Sequence, residues 1–333
     1  MSDKLINKRV MLITSIGKRV QLIKHLSKNF KIIGVDAGEL NPCRYFVDKF
    51  YKVPNAVEKN YISELLKICK KENVDLLIPL YEGEFSILNK NRQQFQNINT
   101  ELMLSSERVV DVCKDKYKTS EYFKHENIKN PRVYTKNEIE NIIHNKEESK
   151  FPLFIKPADG MGSSNAFRIN NVNELCFFKE YIKNGIIQDY IEGTEYTVDV
   201  LVDFNGDPVY IIPRIRLEVR SGEVVKSRTV KDQSIIDETI KVIEALNKLK
   251  DEKGNGAIGP LTIQFFKTDK NEIYLLEINP RFGGGVPLSF ECGADYGNAM
   301  LNMLQDKSIK FENNFDVKTM LRFDDAVYIQ WRS

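Results

Sequence analysis

The stretch Ile273–Gly285, IYLLEINPRFGGG, decides how this chain is read. Its first seven residues alternate as a strand, with Ile273, Leu275, Glu277 and Asn279 on one face and Tyr274, Leu276 and Ile278 on the other. A strand that is apolar on both faces belongs inside a protein. Glu277 is thus a carboxylate carried to the end of a buried run, where an unpaired charge is strongly destabilising. A cation must meet it. The residues leave two candidates open: an arginine, with Arg281 close by, or a metal ion. Pro280 ends the ladder.

The preceding segment, LTIQFFK (Leu261–Lys267), reads as the partner strand, and Asp269-Lys270-Asn271-Glu272 as the turn. A hairpin centred between Lys270 and Asn271 sets Gln264 opposite Glu277. Gln264, Glu277 and Asn279 then converge as three oxygen-bearing side chains. Hard oxygen donors without histidine or cysteine suit magnesium, which keeps part of its shell for water and phosphate.

Toward the N-terminus, Val10–Thr14 reads as a buried strand, SIGKR as a turn, and the residues through Val20, Leu22, Ile23 and Leu26 as a helix. Lys31–Val35 is a second strand ending in Asp36, Tyr61–Glu72 a helix, and Asp75–Pro79 a further strand. This alternation specifies a doubly wound parallel sheet. Ligands of such sheets sit beyond the carboxyl ends of the strands, which puts Ser15–Arg19 and Tyr81–Glu84 on a candidate substrate surface. Glu82 and Glu84 also have a plainer reading, as solvated loop charge or the first turn of a helix. SIGKR has one glycine where a nicotinamide fingerprint needs three.

In the middle of the chain, Ser105-Ser106-Glu107 reads as a helix cap and Asp115 as the cap of the next helix, with Lys116 in its first turn. A lysine there opposes the helix dipole, so it is either surface scatter or serves a ligand anion. Residues 137–150 form a polar, exposed helix. Phe151–Lys156 is a strand ended by Pro157, with Lys156 at its tip. The loop Asp159–Asn165 is rich in glycine and serine. It can wrap phosphate oxygens or stand as a mobile hairpin, and it lacks the lysine of a Walker A loop. After a strand at Ile186–Ile191, the next strand puts Glu195, Thr197, Asp199 and Leu201 on one face. A hairpin follows at Asn205-Gly206-Asp207. Arg214, Arg216, Arg220, Lys226 and Arg228 then share one sheet region, as an anion site or as edge-strand charge. Asp232–Leu249 is an amphipathic helix, and another helix runs from about Asn298 to Gln305. From Asp306 onward no pattern stands out.

The 333 residues suffice for two or three domains. Lys+Arg number 49 and Asp+Glu 47, so a net charge of +2 exerts no global pull toward nucleic acid or membrane. No apolar run approaches a membrane span, and Val10–Thr14 is too short for a signal-peptide core. The five cysteines are scattered, which argues against a zinc site or disulfide framework and for a reducing cytoplasm. His25, His125 and His144 read as surface residues.

Taken in order, Lys116, strand-end Lys156, the glycine-serine loop, Gln188 to Ile191 with an acidic residue after it, and then Gln264, Glu277, Asn279 and Arg281 resemble the ATP-grasp superfamily. The similarity is greatest to single-module relatives of the carbamoyl phosphate synthetase large chain; biotin carboxylase is more distant. EINPRFGGG and FIKPADGMGSSN carry the resemblance, which covers Val10 to about Leu304. It implies an α/β chain in three parts: a Rossmann-like parallel α/β domain over residues 1–113, a lid over 114–187, and a mixed-sheet core with a C-terminal tail over 188–333. It implies that Lys116 and Lys156 bind nucleotide phosphates and that Met161, Gly162 and Ser163 cover them. Gln188 and Ile191 would hold adenine, Glu195 ribose, Gln264, Glu277 and Asn279 magnesium, and Arg281 the transferring phosphoryl group. A second arginine of the synthetase is replaced at about Gly284, which sets carbamoyl phosphate chemistry apart from this chain. The implied activity is an ATP- and Mg2+-dependent ligase, with Mn2+ an alternative ion, that joins a carboxylate to an amine through an acyl phosphate. Phosphorylation of bicarbonate or a small acid, and a catalytically idle ATP sensor, stand as alternatives. The expected partners are small molecules and a second copy in a homodimer, not nucleic acid or membrane.

Overall fold

The computed structural model describes residues 8–158, 165–220, 222–307 and 309–330. The N-terminal part is a five-stranded sheet built from β1 (Val10–Thr14), β2 (Lys31–Asp36), β3 (Lys49–Lys52), β4 (Leu76–Pro79) and β5 (Glu101–Leu102), in the order β3-β2-β1-β4-β5. Every ladder in it is parallel. Strands such as VMLIT are apolar throughout because helices cover both faces of a parallel sheet. The chain winds one way from β1 and then the other, so the loops after β1 and β4 flank the point where the strand order reverses. Such a point is where doubly wound sheets hold ligands.

A three-stranded antiparallel sheet follows, with β6 (Leu153–Pro157) between β7 (Phe167–Ile169) and β8 (Gly185–Asp189). β8 crosses the expected 187/188 division, so this unit runs on to Asp189. The largest sheet takes β9 (Thr194–Val202), β10 (Pro208–Arg220), β11 (Glu223–Thr229), β12 (Gly259–Lys267), β13 (Ile273–Asn279) and β14 (Thr319–Leu321), in the order β13-β12-β9-β10-β11-β14. A mixed sheet was expected here; all five ladders are antiparallel instead. β14 comes from the tail that showed no pattern. Three residues at an edge, paired over Lys226–Leu321 to Arg228–Thr319, are too few to leave a periodicity.

One face of the large sheet packs Val198, Val200, Leu261 and Ile263 against the helix Gln233–Asn247. The opposite face continues through Leu201, Val209 and Ile212 into a core shared with Met11 and Ile13 of the parallel sheet. The helices begin where their caps place them. Ser106 accepts from the Val109 N–H, Asp115 from those of Tyr117 and Lys118, and Asp232 from that of Ile235. The helix Lys136–Asn145 is amphipathic, not merely exposed: Ile139 and Ile142 are buried against β6 and β8.

Two expectations need correction. His25 is not a surface residue. It is 8% exposed and stacks on Phe290 with ring centroids 3.8 Å apart, and burial pushes its pKa down to about 4. The alternation in β13 also differs. Leu275 and Ile278 both join the core against the helix, while Leu276 and Glu277 both line the cavity described below. The reason is a bulge: Gln264 pairs with Glu277 but Phe265 with Leu275, so Leu276 is the extra residue.

Candidate active site

The face of the large sheet that carries Glu195, Thr197 and Asp199 forms the floor of a cavity of about 490 Å³. The ladder register fixes which side chains lie abreast on it. Arg214 pairs with Thr197, Thr197 with Gln264, and Gln264 with Glu277, a row across four strands. One step along, Asp199 pairs with Thr262 and Thr262 with Asn279. The three-stranded sheet supplies a wall with Lys156 and Gln188, and Lys116 projects from the first turn of the helix Lys116–His125. Arg19, from the loop after β1, closes the side toward the parallel sheet.

At the β13 end a relay of polar contacts runs from the sheet to the first domain. Asn279 Nδ2 donates to Glu277 Oε1 at 3.0 Å, and Arg281 Nη2 donates to Asn279 Oδ1 at 3.2 Å. Arg281 Nε then donates to Glu82 Oε1 at 2.8 Å, and Thr262 Oγ1 holds the Arg281 carbonyl at 3.0 Å. Of the two cations considered for Glu277, Arg281 is therefore engaged elsewhere: its carboxylate is Glu82, from the loop after β4. Glu82 and Glu84 part company here. Glu84 is fully buried, takes hydrogen bonds from Thr14 Oγ1 at 2.8 Å and from Tyr61, and ties the loop to the parallel sheet. Burial raises its pKa, so it is a structural residue and neither substrate surface nor solvated charge. Asp36 is equally committed, accepting from the Gly17 and Gly38 N–H groups at 3.0 and 2.9 Å.

Lys156 has its pKa pulled down to about 8, chiefly by burial; Glu277 opposes that shift and Lys116 adds to it. Lys116 Nζ donates to the Ala158 carbonyl at 3.0 Å. Glu195 is held by Arg216. The donor set Gln264, Glu277 and Asn279 combines one carboxylate with two amides. Among the described residues no cluster of three or more His, Cys, Asp or Glu could hold a metal on its own. One carboxylate with neutral oxygens fits a hard ion that completes its shell from phosphate and water.

Of the residues expected from sequence, Lys116, Lys156, Gln188, Ile191, Glu195, Gln264, Glu277, Asn279 and Arg281 all line this one cavity. Met161, Gly162 and Ser163 lie outside the described residues. Of the basic segment, Arg214 and Arg216 face the cavity, whereas Arg220, Lys226 and Arg228 are exposed. Sequence reading left Arg214 between an anion site and edge-strand charge, placed Asp199 by alternation alone, and did not single out Glu223. Arg214 and Asp199 form an ion pair at 2.9 Å, each 3% exposed or less, whose only trace in the sequence is opposite charge on two alternating strands joined at Gly206. Apolar walls come from Phe154, Phe266 and Leu276.

Residues 113–285 match the family described as ATP-grasp domain, and residues 11–103 match the PylC-like, N-terminal domain. The carbamoyl phosphate synthase large chain of Clostridium beijerinckii is 27% identical over 303 residues, which is 84% of this chain and 27% of that protein. The chain thus spans about a quarter of the length of the curated relatives it matches. Among solved structures, the N5-carboxyaminoimidazole synthetase of Staphylococcus aureus complexed with ADP aligns with a TM-score of 0.71 at 18% identity, over 95% of this chain and 82% of that one. The biotin carboxylase domain of 2-oxoglutarate carboxylase from Hydrogenobacter thermophilus, in complex with MgADP, ADP and bicarbonate, aligns with a TM-score of 0.69 at 14% identity, over 91% and 71%. No described helix is long and apolar enough to cross a membrane.

Proposed function

The chain belongs to the ATP-grasp family, and from that premise we propose that it uses ATP and Mg2+ to activate a small-molecule carboxylate as an acyl phosphate and to join it to an amine. The observation that carries the reading is the convergence of Lys116, Lys156, Gln264, Glu277, Asn279 and Arg281 on one cavity, from one helix, three strands and the loop that follows β13. Lys116 and Lys156 offset polyphosphate charge, and burial of Lys156 strengthens its attraction for an anion. Gln188 and Ile191 hold the base, and Glu195, oriented by Arg216, accepts from ribose hydroxyls. Glu277, Gln264 and Asn279 hold the ion, which when bound neutralises phosphate oxygens and orients the γ-phosphoryl group.

Arg281 is fixed by Glu82 and Asn279, so its guanidinium is oriented before any substrate arrives. An oxygen of the acceptor carboxylate bonds to the γ-phosphorus as the bond to the β–γ bridging oxygen breaks, giving ADP and an acyl phosphate. The amine nitrogen then adds to the carbonyl carbon, loses a proton and expels phosphate. Similarity to carbamoyl phosphate synthase keeps phosphorylation of bicarbonate as the second reading. Phosphate release from ATP–Mg2+ against a panel of acids, each with and without amines, tests the proposal. Release that needs both an acid and an amine supports ligation. Release with bicarbonate alone supports the second reading. ATP binding with no release under any condition leaves a sensor.

A further inference from the structure

Arg214 is the most deeply buried cation of the cavity at 3% exposure, and its bonding is incomplete. Nε and Nη2 donate to Asp199 at 2.9 and 3.3 Å, and Ser289 Oγ donates to the same carboxylate at 2.8 Å. Nη1 has no hydrogen-bond partner among the described residues. A buried charged donor without an acceptor is destabilising, and native structures supply one from the protein, from water or from a ligand. Asp199 and Ser289 fix the guanidinium, so Nη1 is presented in a set direction.

The surroundings of Nη1 are those of an anion seat. The loop Gly283–Gly285 lies directly over it: a Cβ on Gly285 would come within 2.5 Å of Arg214 Cζ. A Cβ on the preceding Gly284 would come within 3.9 Å of Arg19 Nη1 and 2.6 Å of Glu223 Oε2. Arg19 and Arg214 therefore flank successive residues of one glycine loop and line one cavity. Arg19 also stands in the field of a further cation, Arg281, which together with burial lowers its pKa. Arg214 is paired with Asp199 and Arg281 with Glu82, while Glu223 lies in the field of Arg19 and is also engaged by Arg322 at 3.4 Å, so four guanidinium groups share three carboxylates and one further negative charge can be accommodated.

The seat is also separate from the residues proposed to act on phosphate. Arg214 lies on β10 and Glu277 on β13, three ladder spacings apart along one row, or about 14 Å between Cα atoms at the usual strand separation. Resting on the ligase reading above, we propose that the acceptor carries a second anionic group, a carboxylate remote from the one that takes the phosphoryl group. Arg214 Nη1 and Arg19 bind that second group as specificity-determining residues. The preferred acceptors are then diacids, whose length is set by the distance from Arg214 to the phosphoryl-transfer end.

The test uses the full chain with a nonhydrolysable ATP analogue and Mg2+, titrated with malonate, succinate, glutarate and adipate, and with acetate and bicarbonate as single-anion controls. Binding is read by calorimetry. At least one diacid is expected to bind about tenfold or more tighter than acetate, and Arg19→Gln to remove that advantage while leaving affinity for the analogue unchanged. Arg214→Lys should do the same, and Arg19→Gln keeps the test valid if loss of the Asp199 pair prevents folding. Equal binding of acetate and every diacid, no diacid binding at all, or a diacid preference that survives Arg19→Gln overturns the proposal. Failure of the wild-type protein to bind the analogue would instead refute the nucleotide reading on which it rests.

Discussion

Replacing Lys156 with methionine separates the stability of the empty protein from its capacity for nucleotide. Burial holds the Lys156 ammonium at about 8 against an ordinary value of 10.5. At about 1.4 kcal/mol per pH unit, that difference corresponds to roughly 3 kcal/mol of destabilisation carried by the charged lysine at neutral pH. Below pH 8 both folded and unfolded chains hold the proton, and the whole penalty is present. Between 8 and 10.5 the folded chain gives up the proton first, so wild-type stability rises with pH over that window. Methionine has a similar length and no charge. Lys156→Met should therefore stabilise the nucleotide-free protein at pH 7 by up to about 3 kcal/mol, the gain shrinking toward zero by pH 10.5. Affinity for ATP–Mg2+ should fall about tenfold or more, because a charged donor to phosphate is lost. Urea unfolding at pH 7 and pH 9.5, with calorimetric titration of a nonhydrolysable analogue, measures both. A variant less stable than wild type at pH 7, or a stability difference independent of pH, would refute the reasoning.

Glu277→Gln should reduce phosphate release to background while stability changes by about 1 kcal/mol or less, since Arg281 keeps Glu82 as its partner; turnover by the folded variant would count against metal binding at Glu277. Losing that carboxylate also removes the group that holds the Lys156 pKa up, so the lysine should titrate below 8 in the variant, as read by NMR of its side chain. Burial holds the His25 pKa down to about 4 in the fold, whereas the unfolded chain takes up a proton near 6.5, so wild-type stability should fall as pH drops across that interval. His25→Phe keeps an aromatic ring against Phe290 and should remove that part of the acid sensitivity in urea unfolding. Gly285→Ala sets a methyl group 2.5 Å from the Arg214 guanidinium carbon and should cost about 1–3 kcal/mol by thermal unfolding; a neutral effect would mean the loop yields more readily than its burial implies.

The pairing of Gln264 with Glu277 was legible in the sequence, but through two offsets that cancel. The turn is centred on Lys270, with the Thr268 N–H donating to the Glu272 carbonyl at 2.9 Å and Asn271 at φ +60°, half a residue earlier than the turn residues suggest. That shift alone would have set Gln264 against Leu276. The bulge at Leu276 restores the register and turns Glu277 onto the cavity face. Neither feature leaves a pattern of its own, because both strands are apolar on each face and a bulge does not break an apolar run. The parallel sheet was legible for the opposite reason: the strands and helix of Val10–Pro79 repeat a strong alternation, and the helix Tyr61–Glu72 falls where its period puts it. What the sequence withheld depends on distant partners. Arg281 meets Glu82 across 199 residues, and His25 is buried by a phenylalanine at position 290; local periodicity holds no record of either.

That distance has a consequence for how the chain divides its work. The groups proposed to hold nucleotide and ion lie on strand ends and a helix start between Lys116 and Arg281, within the segment that matches the family. Arg19 and Glu82 come instead from loops at the switch point of the parallel sheet, where the backbone is set by Glu84 and Asp36 and not by the nucleotide. A loop anchored at its base by a buried carboxylate can change its tip without disturbing the sheet. Acceptor choice should therefore follow residues 15–19 and 80–84. Grafting those two loops from a relative of different acceptor preference should move the preferred acid in the phosphate-release panel while leaving analogue affinity as it was. A graft that changes nucleotide affinity and leaves the acid preference in place would show that the acceptor is read from the large sheet alone.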